Sequence, residues 1–283
     1  MKKIKITGLG YYLPEHIETS EQLASKINKS TDWIISRTGV KEKRISNVDV
    51  DVMGAIAAKN ALKNNGIPDL ILNASGVEKQ IIPDTSVFFQ KELGLNGIPA
   101  FSIHATCLSF LVALNVASSF ISNGTYKKIL IISSDRGTRG RNYNEPESAS
   151  LLGDAAAAVL IEPSIDHSGM LSFNMETWSE GSSLTEVRGG GTNLHPQDKK
   201  TTIDDNLFSM NGPMIYKMAR KKVYDMIAYD LSNNNLTQSD IDLVVPHQAS
   251  GMAVKAYSKY GGFDENKVMD IISTTGNCVA ASI

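Results

Sequence analysis

Cys107 lies in the run Phe101-Ser102-Ile103-His104-Ala105-Thr106-Cys107-Leu108-Ser109-Phe110, where an apolar strand-like stretch gives way to a long helical pattern. A thiol at a helix N-terminus meets unpaired backbone N–H groups, which favour the anion and lower the thiol pKa; the thiolate is the nucleophile. A buried cysteine more often serves as a small hydrophobe, so Cys107 alone does not define a catalyst. Two further segments widen the reading. Val244-Val245-Pro246-His247-Gln248-Ala249 runs as a strand into a histidine, and Thr275-Gly276-Asn277-Cys278 is a turn carrying an amide. A cysteine with distant His and Asn is a layout used for nucleophilic catalysis. Taken singly, His247 also fits a satisfied core histidine, and Asn277 after Gly276 also fits a left-handed turn.

Short β-type runs alternate with longer helical patterns through the first part of the chain. Strands are predicted over 3–8, 70–75, 99–103, 128–133 and 155–161, and helices over 20–28, 51–65, 85–93 and 107–123. That order is α/β. The helix from Cys107 is apolar on nearly every side with small residues between, as a helix buried between layers would be. After Glu162-Pro163 the alternation restarts, with strands predicted over 169–177, 242–246 and 267–271 and helices over 212–231 and 250–260. Two similar α/β halves are expected, residues 1–162 carrying the cysteine and 163–283 the His and Asn. Gly8-Leu9-Gly10 follows a strand but lacks the third glycine and the helix of a dinucleotide fingerprint.

With 283 residues, 42% hydrophobic and 20% charged, the chain is long enough for a sizeable core. A net charge of −2 gives no nucleic-acid footprint, and Arg136/Arg139/Arg141 and Arg220-Lys221-Lys222 read as solvated faces. No stretch of about eighteen apolar residues marks a membrane span, and no secretory signal precedes the first strand. A cytoplasmic protein is expected. Its two cysteines lack metal-ligand spacing, and no disulfide between them is expected.

Taken together these residues resemble the ketoacyl synthase III family, the initiating β-ketoacyl-acyl carrier protein synthases of the thiolase fold. The match begins at Gly8-Leu9-Gly10-Tyr11-Tyr12-Leu13-Pro14 and continues through Thr31-Asp32-Trp33-Ile34-Ile35-Ser36-Arg37-Thr38-Gly39-Val40, similar to the segment that holds coenzyme A. Cys107, Leu152-Gly153-Asp154-Ala155-Ala156, Met210-Asn211-Gly212, Pro246-His247-Gln248-Ala249 and Gly276-Asn277 follow in the family's order. The resemblance implies duplicated α/β halves in five αβαβα layers, a homodimer, and Cys107, His247 and Asn277 as the catalytic set. Trp33 and Arg37 would bind the coenzyme A moiety; by residue type alone they fit equally a helix face packed into the core and a surface ion pair. Lys255 and Lys259, spaced i, i+4 after His247, suit either the acidic surface of an acyl carrier protein or a solvated helix face. No cofactor is implied; acyl-coenzyme A and malonyl-carrier protein enter as substrates. Ile82 stands where the family places a residue reaching across the dimer.

The implied chemistry suits these residue types. A Cys107 thiolate holds an acyl group covalently, and decarboxylation of a malonyl thioester then generates a carbon nucleophile whose enolate oxygen needs hydrogen-bond donors. His247 and Asn277 supply N–H groups, and since neither need titrate, an amide serves. Two departures stand out. Where the family carries a basic residue before Gly153-Asp154 the chain reads Glu145-Pro146-Glu147-Ser148, and after His247 it reads Gln248-Ala249-Ser250-Gly251-Met252 without a basic residue. Unusual acyl donors are the expectation. The chain stops at Ala280-Ala281-Ser282-Ile283, where the resemblance implies a further helix and strands, so a C-terminally truncated form is also expected. Two alternatives accompany the condensing enzyme: an acyltransferase that does not decarboxylate, and an inactive subunit binding acyl groups or carrier protein.

Overall fold

A computed structural model describes residues 1–283. Its strands in chain order are β1 (Ile4–Tyr12), β2 (Ile17–Thr19), β3 (Glu42–Arg44), β4 (Leu70–Asn73), β5 (Ala100–Ser102), β6 (Ile129–Arg136), β7 (Asp154–Pro163), β8 (Thr185–Glu186) and β9 (Ser209–Met210). β2 and β3 make one small ribbon and β8 and β9 another, while the remaining five form one sheet in the order β1-β7-β6-β4-β5. β4 runs parallel to β5 and β6, and β7 runs antiparallel to β6 and β1. The helices are α1 (Ser20–Ala24), α2 (Thr31–Thr38), α3 (Val50–Leu62), α4 (Thr85–Glu92), α5 (Ser109–Ser122), α6 (Pro146–Leu151), α7 (Gly212–Asn233), α8 (Gly251–Gly261) and α9 (Ile272–Thr275).

The central strands β4 and β6 open with unbroken apolar runs, Leu70–Leu72 and Ile129–Ile132, because both faces of the sheet are covered there. Leu70 and Leu72 of β4 with Ile129 and Ile131 of β6 pack on Ala113, Ala117 and Ile121 of α5. The alternate residues Ile71, Leu130 and Ile132 pack on Met53, Ala57 and Ala61 of α3 and on Phe89 of α4. The period of two in a strand thus separates one apolar run into two cores. Gly8 and Gly10 have a structural purpose here. A Cβ on Gly10 would lie 2.1 Å from the Ala57 carbonyl oxygen, and one on Gly8 would lie 2.0 Å from that of Ala61, so the missing side chains let α3 rest directly on β1.

Three sequence expectations change. The predicted strands over 169–177, 242–246 and 267–271 form no sheet, leaving isolated bridges between Lys2 and Met170 and between Val244 and Val268. Backbone N–H and C=O groups define a strand only when neighbouring segments satisfy them. Met170 exchanges bonds with Lys2, at 2.9 and 3.0 Å, and residues 171–173 and 175–177 are exposed without a ladder. The five-stranded sheet is therefore confined to residues before 164, and beyond it lie the short β8–β9 ribbon and the helices α7, α8 and α9. Second, α5 begins at Ser109 after a 3₁₀ turn over Thr106–Leu108, so Cys107 precedes the helix. Third, Arg141 is no solvated charge: it is 8% exposed and its Nη1 meets Glu18 at 2.5 Å. No helix is long and apolar enough to cross a membrane.

The β1–α3 contact yields a stability test. Gly10→Ala is expected to destabilise the protein in urea by about 1–3 kcal/mol, the usual cost of overpacking. Ile165→Ala, at a side chain 95% exposed, is expected to leave the midpoint in place. Equal midpoints for the two variants would mean that α3 gives way freely.

Candidate active site

Cys107 sits half-buried in the turn that joins β5 to α5. The turn is held by Ser109, whose hydroxyl accepts from the Ala105 N–H at 2.9 Å and donates to the Thr106 carbonyl at 2.7 Å. Thr106 has φ +49°, a left-handed conformation costly for a β-branched residue, and such strain is maintained only where surrounding structure enforces it. Burial pushes the Cys107 thiol up to about 12, and the neighbouring Asp135 charge adds to the rise. The sequence expectation of a lowered pKa is thus corrected. α5 starts two residues later, and desolvation of the anion outweighs whatever the helix end contributes.

Asn277 is anchored at three points. Its N–H donates to the Leu151 carbonyl at 2.8 Å, its carbonyl accepts from Gly153 N–H at 2.9 Å, and its Oδ1 accepts from Val279 N–H at 2.9 Å. With the amide oxygen committed, the side-chain NH₂ donates to no protein group. The preceding Gly276 has φ +66°, and a Cβ there would lie 2.7 Å from the Leu151 carbonyl oxygen. Val279, at φ +54°, is a second β-branched residue in the left-handed region. The two strained turns pack on each other across Gly76, whose missing Cβ would sit 2.4 Å from Val279 Cγ1 and 3.3 Å from the Thr106 carbonyl carbon. Cys278 is buried, with Sγ 3.4 Å from the Thr275 carbonyl oxygen, and burial raises its thiol pKa. Both cysteines are free.

His247 is joined to this arrangement through its neighbour. Gln248 is fully buried and uses its whole amide: Nε2 donates to the Pro246 and Met269 carbonyls at 3.1 and 3.0 Å, and Oε1 accepts from the Ile271 and Ile272 N–H groups, both at 3.0 Å. The histidine loop is thereby clamped to the start of α9, whose end leads into Gly276-Asn277. The His247 Nδ1 is enclosed and has no hydrogen-bond partner. Burial lowers the imidazole to about 4, so the ring is neutral at physiological pH.

Asp135 at the end of β6 is a site residue that motif reading missed. Its Oδ1 accepts from Gly76 and Val77 N–H, both at 2.8 Å, and its Oδ2 from Ala281 N–H at 3.1 Å. One carboxylate therefore ties the loop after β4 to the turn after Asn277. Burial raises its pKa to about 7 against the opposing pull of those N–H groups. A pattern search could have found it only as Ser133-Ser134-Asp135, polar residues ending an apolar strand.

Trp33 and Arg37, expected to share one ligand, have different surroundings. Trp33 packs against the cluster of Leu23, Ile27, Ile34 and Ala149, with the Lys29 ammonium 5.3 Å from its ring centre. Arg37 lines a cavity of about 330 Å³ with Leu151, Met210, Ile215 and Ala253, and its Nε meets the Glu147 carboxylate at 2.5 Å.

The thiol environment makes a pH prediction. With Cys107 raised, its thiolate fraction grows about tenfold per pH unit, so iodoacetamide labelling is expected to accelerate from pH 7 to 10 without a plateau. Asp135→Asn, which removes the nearby negative charge, is expected to label faster than wild type at pH 9. A labelling rate that levels off below pH 8 would contradict the burial account.

Profiles of two families match the chain: "3-oxoacyl-[acyl-carrier-protein (ACP)] synthase III" over residues 101–179 and its C-terminal counterpart over residues 231–283. The β-ketoacyl-[acyl-carrier-protein] synthase III of Clostridioides difficile is 33% identical over 290 residues, spanning 99% of this chain and 87% of that protein. A synthase III of Bacteroides thetaiotaomicron, designated 2, is 31% identical over 294 residues, spanning 100% of this chain and 87% of its own length. The crystal structure of 3-oxoacyl-[acyl-carrier-protein] synthase III from Aquifex aeolicus superposes with a TM-score of 0.89 at 29% identity, covering 99% of this chain and 88% of that one. These shares do not bear out the expectation of a truncated form. The sheet and its flanking helices are thus those of a thiolase-like α/β fold, and the chain belongs to the 3-oxoacyl-[acyl-carrier-protein] synthase III family.

Proposed function

We propose that the protein is an acyltransferase of the β-ketoacyl-acyl carrier protein synthase III type, acting in fatty acid or specialised acyl biosynthesis. It condenses an acyl group held on Cys107 with a malonyl-carrier protein. The observation that carries this reading is the Asn277 turn, in which the amide oxygen is occupied by Val279 N–H, the NH₂ is left to donate, and the turn packs on that of Cys107. An NH₂ stabilises a developing enolate oxygen without titrating.

In the first half-reaction the Cys107 sulfur forms a bond to the acyl carbon, the donor thioester C–S bond breaks, and the thiol proton ends on the departing thiol. Because burial holds Cys107 as a thiol, that proton must leave during attack. His247, whose Nδ1 has no hydrogen-bond partner, is the group we assign to pass it to the departing thiol, a transient protonation that burial of the ring opposes. In the second half-reaction the malonyl C–C bond breaks to release carbon dioxide, and the enolate oxygen accepts hydrogen bonds from Asn277 and from His247. The enolate carbon attacks the acyl carbon, and the Cys107 C–S bond breaks; the thiolate then takes up a proton. This chemistry asks for no cofactor.

We further propose a cytoplasmic homodimer, with acyl carrier protein as its partner. β5 is an outer strand with one edge unpaired, Phe101 on it is 38% exposed, and Ile81 and Ile82 nearby in sequence are 69% and 80% exposed. Edge-to-edge pairing about a two-fold axis would cover that strand.

Two experiments test these readings. Incubation with a panel of acyl-coenzyme A and acyl-carrier thioesters, read by intact-protein mass spectrometry, is expected to give an acyl adduct that Cys107→Ala abolishes. Asn277→Ala should retain the adduct while losing about 10²–10³-fold in carbon dioxide release from malonyl thioester, the range for removal of one oxyanion donor. Adducts without any carbon dioxide release in wild type would replace condensation by simple acyl transfer; no adduct from folded protein would end the enzyme reading. For the dimer, sedimentation at the mass of two chains is expected, moving toward one chain in Phe101→Asp; wild type sedimenting as a single chain would overturn it.

A further inference from the structure

The cavity beside Arg37 carries an electrostatic arrangement with consequences for the donor. Arg37 and Glu147 are the only charged residues among its lining side chains, and they form an ion pair with each other. The rest of the wall is largely apolar, with Leu151, Met210, Ile215 and Met252. Glu147 is also fixed from below. A Cβ on Gly212 would lie 3.1 Å from the Glu147 Oε2, so the glycine at the start of α7 leaves room for the carboxylate. A neighbouring carboxylate, Glu145, accepts from Ser209 Oγ at 2.9 Å and from Met210 N–H at 3.3 Å, which holds the segment before α6 against the segment before α7. The cavity has no net charge, and its one guanidinium is already compensated.

A second cleft, of about 630 Å³, adjoins the first and shares Tyr216 and Met252 with it. Its lining contains Lys41, Lys255 and Lys259 against a single carboxylate, Asp270. None of the three lysines takes part in an ion pair. Lys255 and Lys259 are one helical turn apart on α8, and Lys41 comes from the segment just before β3. Unpaired positive charge thus lines the adjoining cleft, while the cavity beside it carries no net charge. That order suits a ligand with a long uncharged arm ending in a phosphate.

Resting on the thioester-transfer reading, we propose that Glu147 is a specificity residue. By compensating Arg37 it disfavours a nucleotide phosphate in the apolar cavity. The cavity then receives an uncharged pantetheine arm, whose phosphate is held by Lys41, Lys255 and Lys259 in the adjoining cleft. The donor so selected is a pantetheine phosphate borne by a carrier protein, for which the nucleotide of coenzyme A adds nothing.

Calorimetric titration with pantetheine, 4′-phosphopantetheine, coenzyme A and phosphopantetheinylated carrier protein tests each part. In wild type, the phosphate is expected to tighten binding about tenfold over pantetheine, and coenzyme A to bind within about threefold of 4′-phosphopantetheine. Carrier protein should bind more tightly than free coenzyme A. Lys255→Ala/Lys259→Ala should bring 4′-phosphopantetheine down to the level of pantetheine. Glu147→Gln, which frees the guanidinium, should tighten coenzyme A about tenfold and leave 4′-phosphopantetheine unchanged. Thermal melts establish that each variant is folded, and Arg37→Ala in the Glu147→Gln background should cancel the gain. Wild type binding coenzyme A ten times more tightly than 4′-phosphopantetheine, or more tightly than carrier protein, would overturn the assignment, as would Glu147→Gln without effect. Acylation of Cys107 by an S-acyl pantetheine, which has no phosphate, reports separately on thioester transfer and would fail only if that reading fails.

Discussion

A buried carboxylate with no cation beside it sets the geometry on which the site depends. Asp135 accepts N–H groups from Gly76, Val77 and Ala281, so the loop after β4 and the turn after Asn277 are held to the end of one central strand. Between those segments lie the two β-branched residues in left-handed conformations, Thr106 and Val279. Each would relax toward an ordinary conformation in an isolated peptide, by an amount of order 1–3 kcal/mol. Their persistence means that packing around Gly76 and the Asp135 bonds together outweigh that preference. The site is a point of stored strain supported by a rigid sheet behind it.

The same carboxylate raises the pKa of the cysteine it helps to place. The sulfur stays a thiol at rest, protected from alkylation and oxidation, which require the thiolate. The imidazole of His247 is neutral at rest with Nδ1 unpartnered, so both groups are held uncharged until substrate arrives. Gln248 adds a geometric constraint: two of its four bonds fasten the histidine loop to the start of α9, and α9 leads directly to Asn277. Two residues that need never touch substrate, Asp135 and Gln248, therefore govern the relative placement of three that would.

The first-half sheet was legible in the sequence because its signal is physical and local. Leu70-Ile71-Leu72 and Ile129-Leu130-Ile131-Ile132 are short, wholly apolar and separated by helix-length patterns, which is what strands buried on both faces must look like. The second-half strands carried the same local signal at Val244-Val245, yet only single bridges form, because a ladder needs partners that local pattern cannot guarantee. The surroundings of Cys107 were less legible: its thiol pKa is raised where the sequence suggests a lowered one. A helix N-terminus is a sequence-level feature; the depth at which the sulfur is buried is not. Arg141 was misread for a similar reason, since its partner Glu18 lies far away in the chain and only folding brings the pair under cover.

Charge placement at the cavity follows the same logic and extends it to selectivity. Glu147 in sequence is one acid in an acidic stretch, and Arg37 one base at a helix end. Only their meeting across the cavity wall turns a cationic anchor into a compensated pair, and only the adjacency of the lysine cleft gives the displaced anion somewhere to go. The pair is partly exposed, so its contribution to stability is small. Its effect on a ligand is larger, because a phosphate arriving at Arg37 would have to displace or repel the carboxylate already there. A substitution that scarcely alters folding can in this way change which thioester the same cysteine receives.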